Sequence, residues 1–537
     1  MNLYELQILL ILEILFITKG VLFFMRINVN VSAIVSNNAL QRSENRLSDS
    51  IKRLSSGYKL NSSADDPAGC AISEKMRLQI KGLDQSDNNA ADGISILNIA
   101  DGAMTEVQNM LVRMKELAVQ AANDVNSDGE REAIQKELNS INKEIDRIAN
   151  DTEFNTQPLL NGNLMRRVYS NVQGVTQITC TDNLVAGIYG ITVTEDARQA
   201  VMIPNGTITM SSTATITKEQ AGKITMNGYG IDIAEGSTLN DIMDKLVAAA
   251  NKSGAKAFVV GSFTNDTVAN GTEYAGYLPA TTISGSSLVL MTNEYGSDQS
   301  LTVTCDNELL ANLLGISDAA TADGMVSQGK DAVVDITKDA NGKRVGFEDS
   351  AVISSKGTVI TIKDVNNKEF VVDIPGNTAG TQFDDSAKIA TKTGGGTKDV
   401  EQEVTDVGTM SIHIGANQDQ VIKIDIPPIT TYALGTDNIN VMTGYMAQRA
   451  IETVDVAITR ANDIRSKIGA FENRFEHTRN NLATSTENLT KSLSTVTDTD
   501  MAEEMTEYTA VTVMTQAATS ILSQANERPS TVLQLLQ

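Results

Sequence analysis

One stretch of this chain has the spacing of a phosphate-binding loop, but it departs from such a loop in two respects. The segment GMVSQGKD, which begins at Gly324, has the G-x-x-x-x-G-K spacing of a loop that wraps phosphates. Asp331 stands where such a loop needs Ser or Thr, and no buried strand is predicted before the segment. Since a carboxylate would repel phosphate, we interpret the match as a coincidence.

Metal and thiol chemistry also lack the necessary spacing. The only histidines, His413 and His477, are far apart, and no H-E-x-x-H sequence occurs. The three cysteines, Cys70, Cys180 and Cys305, are widely separated and form no C-x-x-C pair. We expect three free buried thiols rather than a zinc site, a disulfide framework or a redox centre.

Acid–base catalysis is equally unsupported. The paired carboxylates Asp65–Asp66 and Glu503–Glu504 are more simply interpreted as solvated faces or helix starts. No nucleophile is spaced with a partner that could activate it. The sequence therefore predicts a protein that is not an enzyme and that holds no cofactor and no metal.

Composition narrows the class of partner. The 537 residues carry a formal net charge of -24 and a pI near 4.5, so nucleic acid and anionic lipid would be repelled. A chain of this length predicts two to four domains. The sequence contains no Trp and only 4% aromatic residues, so its cores must be built mainly from aliphatic side chains.

The first 24 residues are apolar, but they resemble neither a secretory signal nor a membrane span. Their start is not basic, no A-x-A cleavage pattern follows, and Glu13 interrupts the apolar run. Lys19–Gly20 must be encoded by a purine-rich string of the ribosome-binding type shortly before Met25. We expect residues 1–24 to be an extension outside the working protein, which would then have no membrane span.

Long helices are predicted at both ends of the chain by apolar residues spaced seven apart. We expect an assembly seam made of Met76, Leu83, Leu97, Leu111, Val454, Ile468, Phe475 and Leu482. The alternate row of the first long helix contains Asp87 and Asp101, so we expect that helix, from Ile72 to Asn123, to pack mainly through one row. Pairing of the two ends requires a helical hairpin with the middle of the chain at its tip.

Shorter elements flank these helices. Apolar patterns predict a helix near each terminus, one with Leu40, Leu47 and Ile51 and one with Met501 and Ile521. Between the first short helix and the first long one, Pro67 predicts a break.

Local motifs predict three further features. Ser127 and Glu130 form a capping box that opens a further helix. The middle is rich in Gly, Thr and Ser with period-two runs, including a hairpin about Asn366–Asn367 and a capped helix in GSTLNDIMDKLVAAAN. The predicted fold class is a mainly α helical-hairpin or coiled-coil core from both termini, with a β-rich α+β insertion of one or more small modules.

Several segments resemble the two terminal cores of bacterial flagellin. The first core is matched by MRINVNVSAIVSNN, LSSGYKLNSSADDPAGCAISEKMRLQIKGL, MLVRMKELAVQAAND and FNTQPLLNG, and the second by MSIHIGANQDQ, DMAEEMTEYT and VLQLLQ. The resemblance covers about half of the chain. It implies a structural subunit that polymerises into the flagellar filament for motility. Similar helical ends leave a hook–filament junction protein as one alternative, and the middle modules leave a secreted adhesin-like protein as another.

The resemblance also implies a division of the chain into layers. The segments are 1–24, the extension; 25–70, an N-terminal inner-layer helix and spoke; 71–164, N-terminal outer-layer helices and hairpin; 165–404, variable β-rich outer modules; 405–494, the C-terminal outer-layer return; and 495–537, the C-terminal inner-layer helix.

The partners and location implied by the resemblance are those of a flagellar subunit. They are further copies of the chain in a helical homopolymer, an export chaperone at the C-terminal arm, and the filament cap and junction proteins. The location implied is the extracellular flagellum, reached through the flagellar export apparatus.

A vertebrate Toll-like receptor that senses flagellin is a further implied partner. Its contact residues here would be Arg113, Glu116, Leu117 and Glu137, on a surface exposed in the monomer. Val112 and Lys115 depart from the family pattern beside them, so the strength of recognition stays open. Arg113 and Glu116 lie off the heptad row, so an ordinary polar face or an axial contact between subunits is the alternative interpretation.

Overall fold

The computed structural model describes residues 29–535 apart from 182–183, 203–205, 212–213, 261–286, 322–323, 341, 366–367, 377, 379–382, 385–388 and 391–396. These residues form two compact units. The first contains residues 29–87, 415–418 and 480–535, and the second contains 88–414 and 419–479. The proposed extension 1–24 and the turn Asn366–Asn367 lie outside the described residues.

Helices dominate both ends of the chain, as the periodicity predicts. They are α1 (Val31–Ser56), α2 (Pro67–Ala121), α3 (Asp128–Asp151), α4 (Leu239–Lys252), α5 (Glu308–Leu313), α6 (Thr431–Leu434), α7 (Gly444–Thr497) and α8 (Met501–Leu535), with a 3-10 turn at Ser317–Ala320. Helices α2 and α7 each contribute residues to both units.

The break between α1 and α2 is built from local hydrogen bonds. Gly57 ends α1 in a left-handed conformation, with φ of 74°, which glycine adopts without strain. Asp66 accepts a hydrogen bond from the amide of Ala68 at 3.0 Å, and Pro67 begins α2. The helix therefore starts five residues before the Ile72 that we expected, because proline at the first helical position needs no backbone donor.

The prediction that α2 packs mainly through one row is wrong for the part of the helix that lies in the second unit. The predicted row, with Leu97 and Leu111, is buried. A second row three residues further along is buried as well, at Ala100, Val107, Met114 and Ala121. Asp101, which with Asp87 is the basis of that expectation, does not oppose packing on α7, because it forms an ion pair with Arg465 of this helix at 3.0 Å.

The core of the helical part of the second unit joins α2, α3 and α7 to a hairpin of two strands, Met410–His413 and Val421–Ile424, as the shared cluster of buried residues shows. We call residues 88–164 and 405–479, without 415–418, the helical domain. Helix α3 begins with the predicted capping box, since Glu130 accepts hydrogen bonds from the amide and hydroxyl of Ser127 at 2.7 and 2.9 Å.

Strands fill the middle of the chain and form short hairpins at its borders. Their bounds are β1 Glu153–Phe154, β2 Gln157–Pro158, β3 Val168–Ser170, β4 Thr176–Cys180, β5 Gly187–Glu195, β6 Gln199–Met202, β7 Gly222–Met226, β8 Tyr229–Ile233, β9 Ala255–Val260, β10 Ser287–Tyr295, β11 Ser300–Cys305, β12 Met325–Gln328, β13 Val333–Ile336, β14 Val352–Lys356, β15 Val359–Lys363, β16 Glu369–Asp373, β17 Phe383–Asp384, β18 Ile389–Ala390, β19 Lys398–Val404, β20 Met410–His413 and β21 Val421–Ile424. All described pairings are antiparallel, including the predicted pair of β15 and β16.

The strands build two nested modules. The first module, residues 168–195 and 333–404, has sheets of order β13-β5-β19-β3 and β14-β15-β16-β4 around one core. The second module, residues 199–328, has sheets of order β6-β10-β9 and β12-β11-β7-β8 packed with α4 and α5 around another. Thr238 caps α4 as predicted, and Ile242 and Leu246 are fully buried. The second module is thus an insertion between β5 and β13 of the first.

Candidate assembly interface

The predicted assembly seam lies mainly inside the subunit. Leu97, Leu111, Val454, Ile468 and Phe475 are buried in the core of the helical domain. In the first unit Leu482 is buried, whereas Met76 and Leu83 are half-buried. The buried members of this row hold the fold of one chain together, so they are not available as a contact surface for a second chain.

The terminal helices α1 and α8 of the first unit pack against each other as an antiparallel pair. Their directions are fixed at both ends, since Asn30 donates to the carbonyl of Ala525 at 2.8 Å and Arg53 lies 3.7 Å from Glu504. Arg46 and Glu507 form an ion pair between these points. Because distant parts of the sequence meet here, the pair can form only after the chain has returned from the middle.

The pair is extended beyond the helices by a short backbone ladder. The amide of Lys59 donates to the carbonyl of Thr497 at 2.7 Å, and the amide of Thr499 donates to the carbonyl of Gly57 at 3.1 Å. Tyr58 and Asp498 lie opposite each other in this bridge. The ladder fixes the ends of α1 and α8 relative to each other.

Large apolar side chains remain exposed on both terminal helices. On α1 they are Val31, Ile34, Val35 and Ile51, and on α8 they are Met501, Met505, Val513, Met514 and Ile521. The α8 residues are spread over more than half of the helix circumference, whereas the buried side chains described on this helix, among them Val511 and Ala525, lie along one stripe. A helix that is apolar on all sides normally has neighbours on all sides.

One polar contact within the pair was missed by sequence reasoning. Glu504, which we interpreted as part of a solvated face or a helix start, lies in the first turn of α8 but is only 8% exposed. Its Oε1 atom and the buried hydroxyl of Ser50 have no hydrogen-bond partner. Such a buried carboxylate weakens the pair unless another group approaches it.

Three of the four predicted recognition residues are charged and form one cluster, whereas the fourth, Leu117, is not part of it. Arg113 of α2 donates to Glu137 of α3 at 2.9 and 3.1 Å and to Glu116 at 3.1 Å. These bonds, chiefly those to Glu137, raise the pKa of the Arg113 guanidinium. Leu117 is 1% exposed, so its place on an exposed surface is wrong.

The two residues that depart from the family pattern are both accessible. Val112 is exposed beside Arg113, and Lys115 forms an ion pair with Asp455 of α7 at 2.6 Å. The lysine thus has a partner within the chain. Its charge is engaged next to the cluster rather than free for a ligand.

The phosphate-loop match is part of a sheet. Residues Met325–Gln328 form β12, Lys330 pairs with Glu195 at 2.6 Å, and Asp331 accepts from the amides of Ser297 and Gly357. The charged side chains of Lys330 and Asp331 are therefore engaged in contacts within the protein.

Other chemical groups are isolated in the part of the chain that the structure describes. Cys180 and Cys305 are buried, as expected, but Cys70 is only half-buried. Among the described residues no cluster of His, Cys, Asp or Glu could hold a metal ion. Within the same residues no helix has the length and apolar character to cross a membrane.

Comparison with known sequences gives matches at both ends. The pattern of the bacterial flagellin N-terminal helical region matches residues 27–164, and that of the C-terminal helical region matches residues 451–536. These two regions contain the terminal helices α1 and α8 as well as the charge cluster of α2 and α3.

Whole-chain relatives and solved structures were also found. A flagellin from Clostridium tyrobutyricum is 30% identical, over 94% of this chain and 100% of its own. A flagellin from Salmonella rubislaw is 28% identical, over 95% and 99% respectively. A solved structure of FliC from Burkholderia pseudomallei covers 71% of this chain and 99% of its own at 14% identity, but with a TM-score of 0.21 we infer nothing from it.

Proposed function

This chain belongs to the flagellin family and is a structural subunit of the bacterial flagellar filament. We propose that its terminal helices α1 and α8 make the contacts between copies that build the filament. The observation that carries the proposal is that large apolar side chains are exposed on several sides of α8, whereas the described side chains that the chain itself covers lie along one stripe. Neighbouring copies would cover the remaining sides. Contacts between unlike surfaces produce a helical polymer when the rotation between successive copies does not close a ring, and we propose this case here.

The exposed residues of α8 offer a direct test. Replacing Val513 and Ile521 together by Glu places two charges where the proposal requires apolar contacts between copies. We expect the purified variant to stay monomeric under conditions in which the parent chain forms filaments. Sedimentation and electron microscopy measure the polymer.

A matched control separates this effect from a general one. Val326 and Val352 are also exposed apolar residues, but they lie on strands β12 and β14 of the two modules. Their replacement by Glu should leave polymerisation intact. The proposal fails if the α8 variant polymerises like the parent while its helical content is unchanged.

We also propose that the middle modules are not needed for polymerisation. Their residues belong to separate cores, and the chain enters and leaves them near residues 165 and 404. A chain with a short Gly/Ser linker in their place should form thinner filaments. If that chain stays monomeric at high concentration, the modules contribute subunit contacts.

Further partners follow from the same surface. Exposed apolar residues on α8 favour aggregation before assembly, so we propose that an export chaperone covers the C-terminal arm until secretion through the flagellar apparatus. The cap and junction proteins would contact the same terminal helices at the filament ends. Co-purification of the chaperone with the full chain but not with residues 1–500 would support the first of these contacts.

For the cluster of Arg113, Glu116 and Glu137 we propose recognition by a flagellin-sensing Toll-like receptor. The support is its exposure on the outer side of α2 and α3, where three charged side chains hold a fixed arrangement. The family is one of structural proteins, and we propose that this chain catalyses no reaction. A receptor-reporter assay with the monomer tests the first proposal.

A further inference from the structure

A cleft of about 540 Å³ lies where three parts of the second unit meet. Its walls come from the end of β10 in the second module, from β14 to β16 in the first module, and from α6 to the start of α7 in the helical domain. Any change in how the modules dock on the helices must change the shape of this cleft.

Acidic side chains dominate the cleft. Six carboxylates line it, at Glu294, Asp298, Asp331, Asp373, Asp437 and Glu452, against three cations, at Lys356, Arg449 and Arg460. Three of the acids come from different parts of the unit: Glu294 from the second module, Asp373 from the first and Asp437 from the helical domain. Their mutual repulsion therefore acts across the joints rather than within one part.

The cations are largely engaged with other groups. Arg449 donates to the side chain of Gln299 at 2.8 Å, and Arg460 donates to the carbonyl of Ala433 at 2.8 Å. Lys356 lies between two other acids of the cleft, 3.0 Å from Asp298 and 3.6 Å from Glu452. None of these contacts neutralises Glu294 or Asp437 by a direct ion pair.

The surroundings disfavour the charged forms of Glu294 and Asp437. The walls of the cleft desolvate Glu294 and raise its pKa, and Asp437 and Asp373 add to the rise while Arg449 opposes it. Burial also raises the pKa of Asp437, with further contributions from Asp146 and Asp373. Glu294 and Asp437 line the cleft but are exposed residues overall, so protons can reach them from solvent.

Hydrogen bonds hold the parts together beside the cleft. The hydroxyls of Tyr445 and Ser300 lie 2.6 Å apart, and Asn440 donates to the carbonyl of Lys252 at 3.1 Å. Tyr432 donates to Asp373 at 2.5 Å, and burial together with this bond raises the pKa of Tyr432 to about 12. The Tyr432 hydroxyl keeps its proton between pH 4.5 and 7.5, so it can donate to Asp373 throughout this range while the charge in the cleft varies.

We propose that the cleft is a proton-sensitive joint, in which protonation of Glu294 and Asp437 tightens the docking of the two β-modules on the helical domain. The sign follows from the direction of the shifts. A carboxyl whose pKa is higher in the docked state costs nothing while protonated, and it weakens docking once the pH has risen through that value. Docking is then tighter in mild acid than at neutral pH, opposite to the usual behaviour of paired carboxylates.

Hydrogen exchange of the monomeric full chain tests this joint. We expect the amides of residues 293–299 and 432–446 to be better protected at pH 4.5 than at pH 7.5, after correction for the chemical exchange rate. Each unit by which the pKa of a carboxyl is higher in the docked than in the open state would correspond to a tenfold change in the docking equilibrium. The double variant Glu294→Gln and Asp437→Asn should be protected equally at both pH values.

The control is a second pair of acids outside the cleft. Glu308 and Asp244 are exposed on α5 and α4 of the second module, and their replacement by Gln and Asn removes the same charge. This control should keep the pH response of the parent. If the parent shows no gain in protection in acid, or if both variants respond alike, the joint is not proton-sensitive; the single variant Glu294→Gln repeats the comparison if the double variant does not fold.

Discussion

Arg113 on α2 and Glu137 on α3 are joined by two hydrogen bonds, in which Nε and Nη2 of the arginine donate to one carboxylate oxygen at 3.1 and 2.9 Å. Glu116 accepts a third bond at 3.1 Å, from Nη1. One exposed guanidinium therefore orients two carboxylates that belong to different helices. The cluster is a surface of defined geometry, although it adds little to the stability of the helices.

The variant Arg113→Ala should separate recognition from folding. Because the ion pairs are exposed, we expect little change in the denaturant midpoint of the monomer, but a clear loss in a flagellin-receptor reporter assay. Arg147 of α3 forms similar exposed pairs with Glu144 and Asp151, so Arg147→Ala is the matched control and should keep the signal. Equal signals from both variants would contradict a role for Arg113.

A core substitution tests the packing of α7 on α2. Phe475 is fully buried, and a Cβ added to Gly93 would lie 3.1 Å from its ring. Phe475→Ala should destabilise the second unit by about 3–5 kcal/mol, because the aromatic ring leaves a cavity. Val456→Ala, at an exposed position of the same helix, should change the free energy of unfolding by less than about 1 kcal/mol. Thermal unfolding of the monomer measures both.

Local chemistry made much of the fold predictable. The capping boxes of α3 and α4 use residues three positions apart, so Ser127 and Thr238 could be identified from sequence. The heptad spacing gave the long helices, and alternation gave β15 and β16. The nested arrangement of the two modules was not predicted, because strand order depends on contacts between residues more than a hundred positions apart.

Burial of single residues was harder to predict, since it depends on what packs beside a helix. Leu117 is off the predicted heptad row, yet it is buried because it shares a core with Ile134 and Leu138 of α3. Met501 and Ile521 are part of an apolar helix pattern, but both are exposed. Periodicity shows which apolar side chains are suited to burial, but it does not show whether the same chain or another one buries them.

Acid should loosen the connection between α1 and α2. Asp65 accepts hydrogen bonds from the amides of Ser62 at 2.8 Å and Asn61 at 3.0 Å, and these bonds lower its pKa. A carboxyl with a lowered pKa in the folded state stabilises that state above its ordinary pKa, near 4, and the stabilisation is lost as the pH falls through the folded value.

The measurement is hydrogen exchange of peptides covering residues 58–66 between pH 5 and 3, corrected for the chemical rate. We expect faster corrected exchange in the parent as the pH falls. Asp65→Asn keeps an acceptor oxygen but cannot titrate, so its corrected exchange should be constant across this range. A parent whose exchange also stays constant would contradict the assigned role of Asp65.

The buried Glu504 predicts an asymmetry between two variants of the terminal pair. One oxygen of this carboxylate has no hydrogen-bond partner, and the nearest cation, Arg53, is 3.7 Å away and 40% exposed at its side chain. Replacing Glu504 by Met removes the buried charge and keeps an apolar side chain of similar length, so the α1–α8 pair should be as stable as in the parent or more stable. Replacing Arg53 by Met leaves the carboxylate without its cation and should cost about 1–3 kcal/mol.

Thermal depolymerisation of filaments followed by circular dichroism compares the two variants at the same subunit concentration. If Glu504→Met lowers the transition temperature more than Arg53→Met does, the carboxylate has a favourable partner in the filament, and our description of it as a destabilising group is wrong.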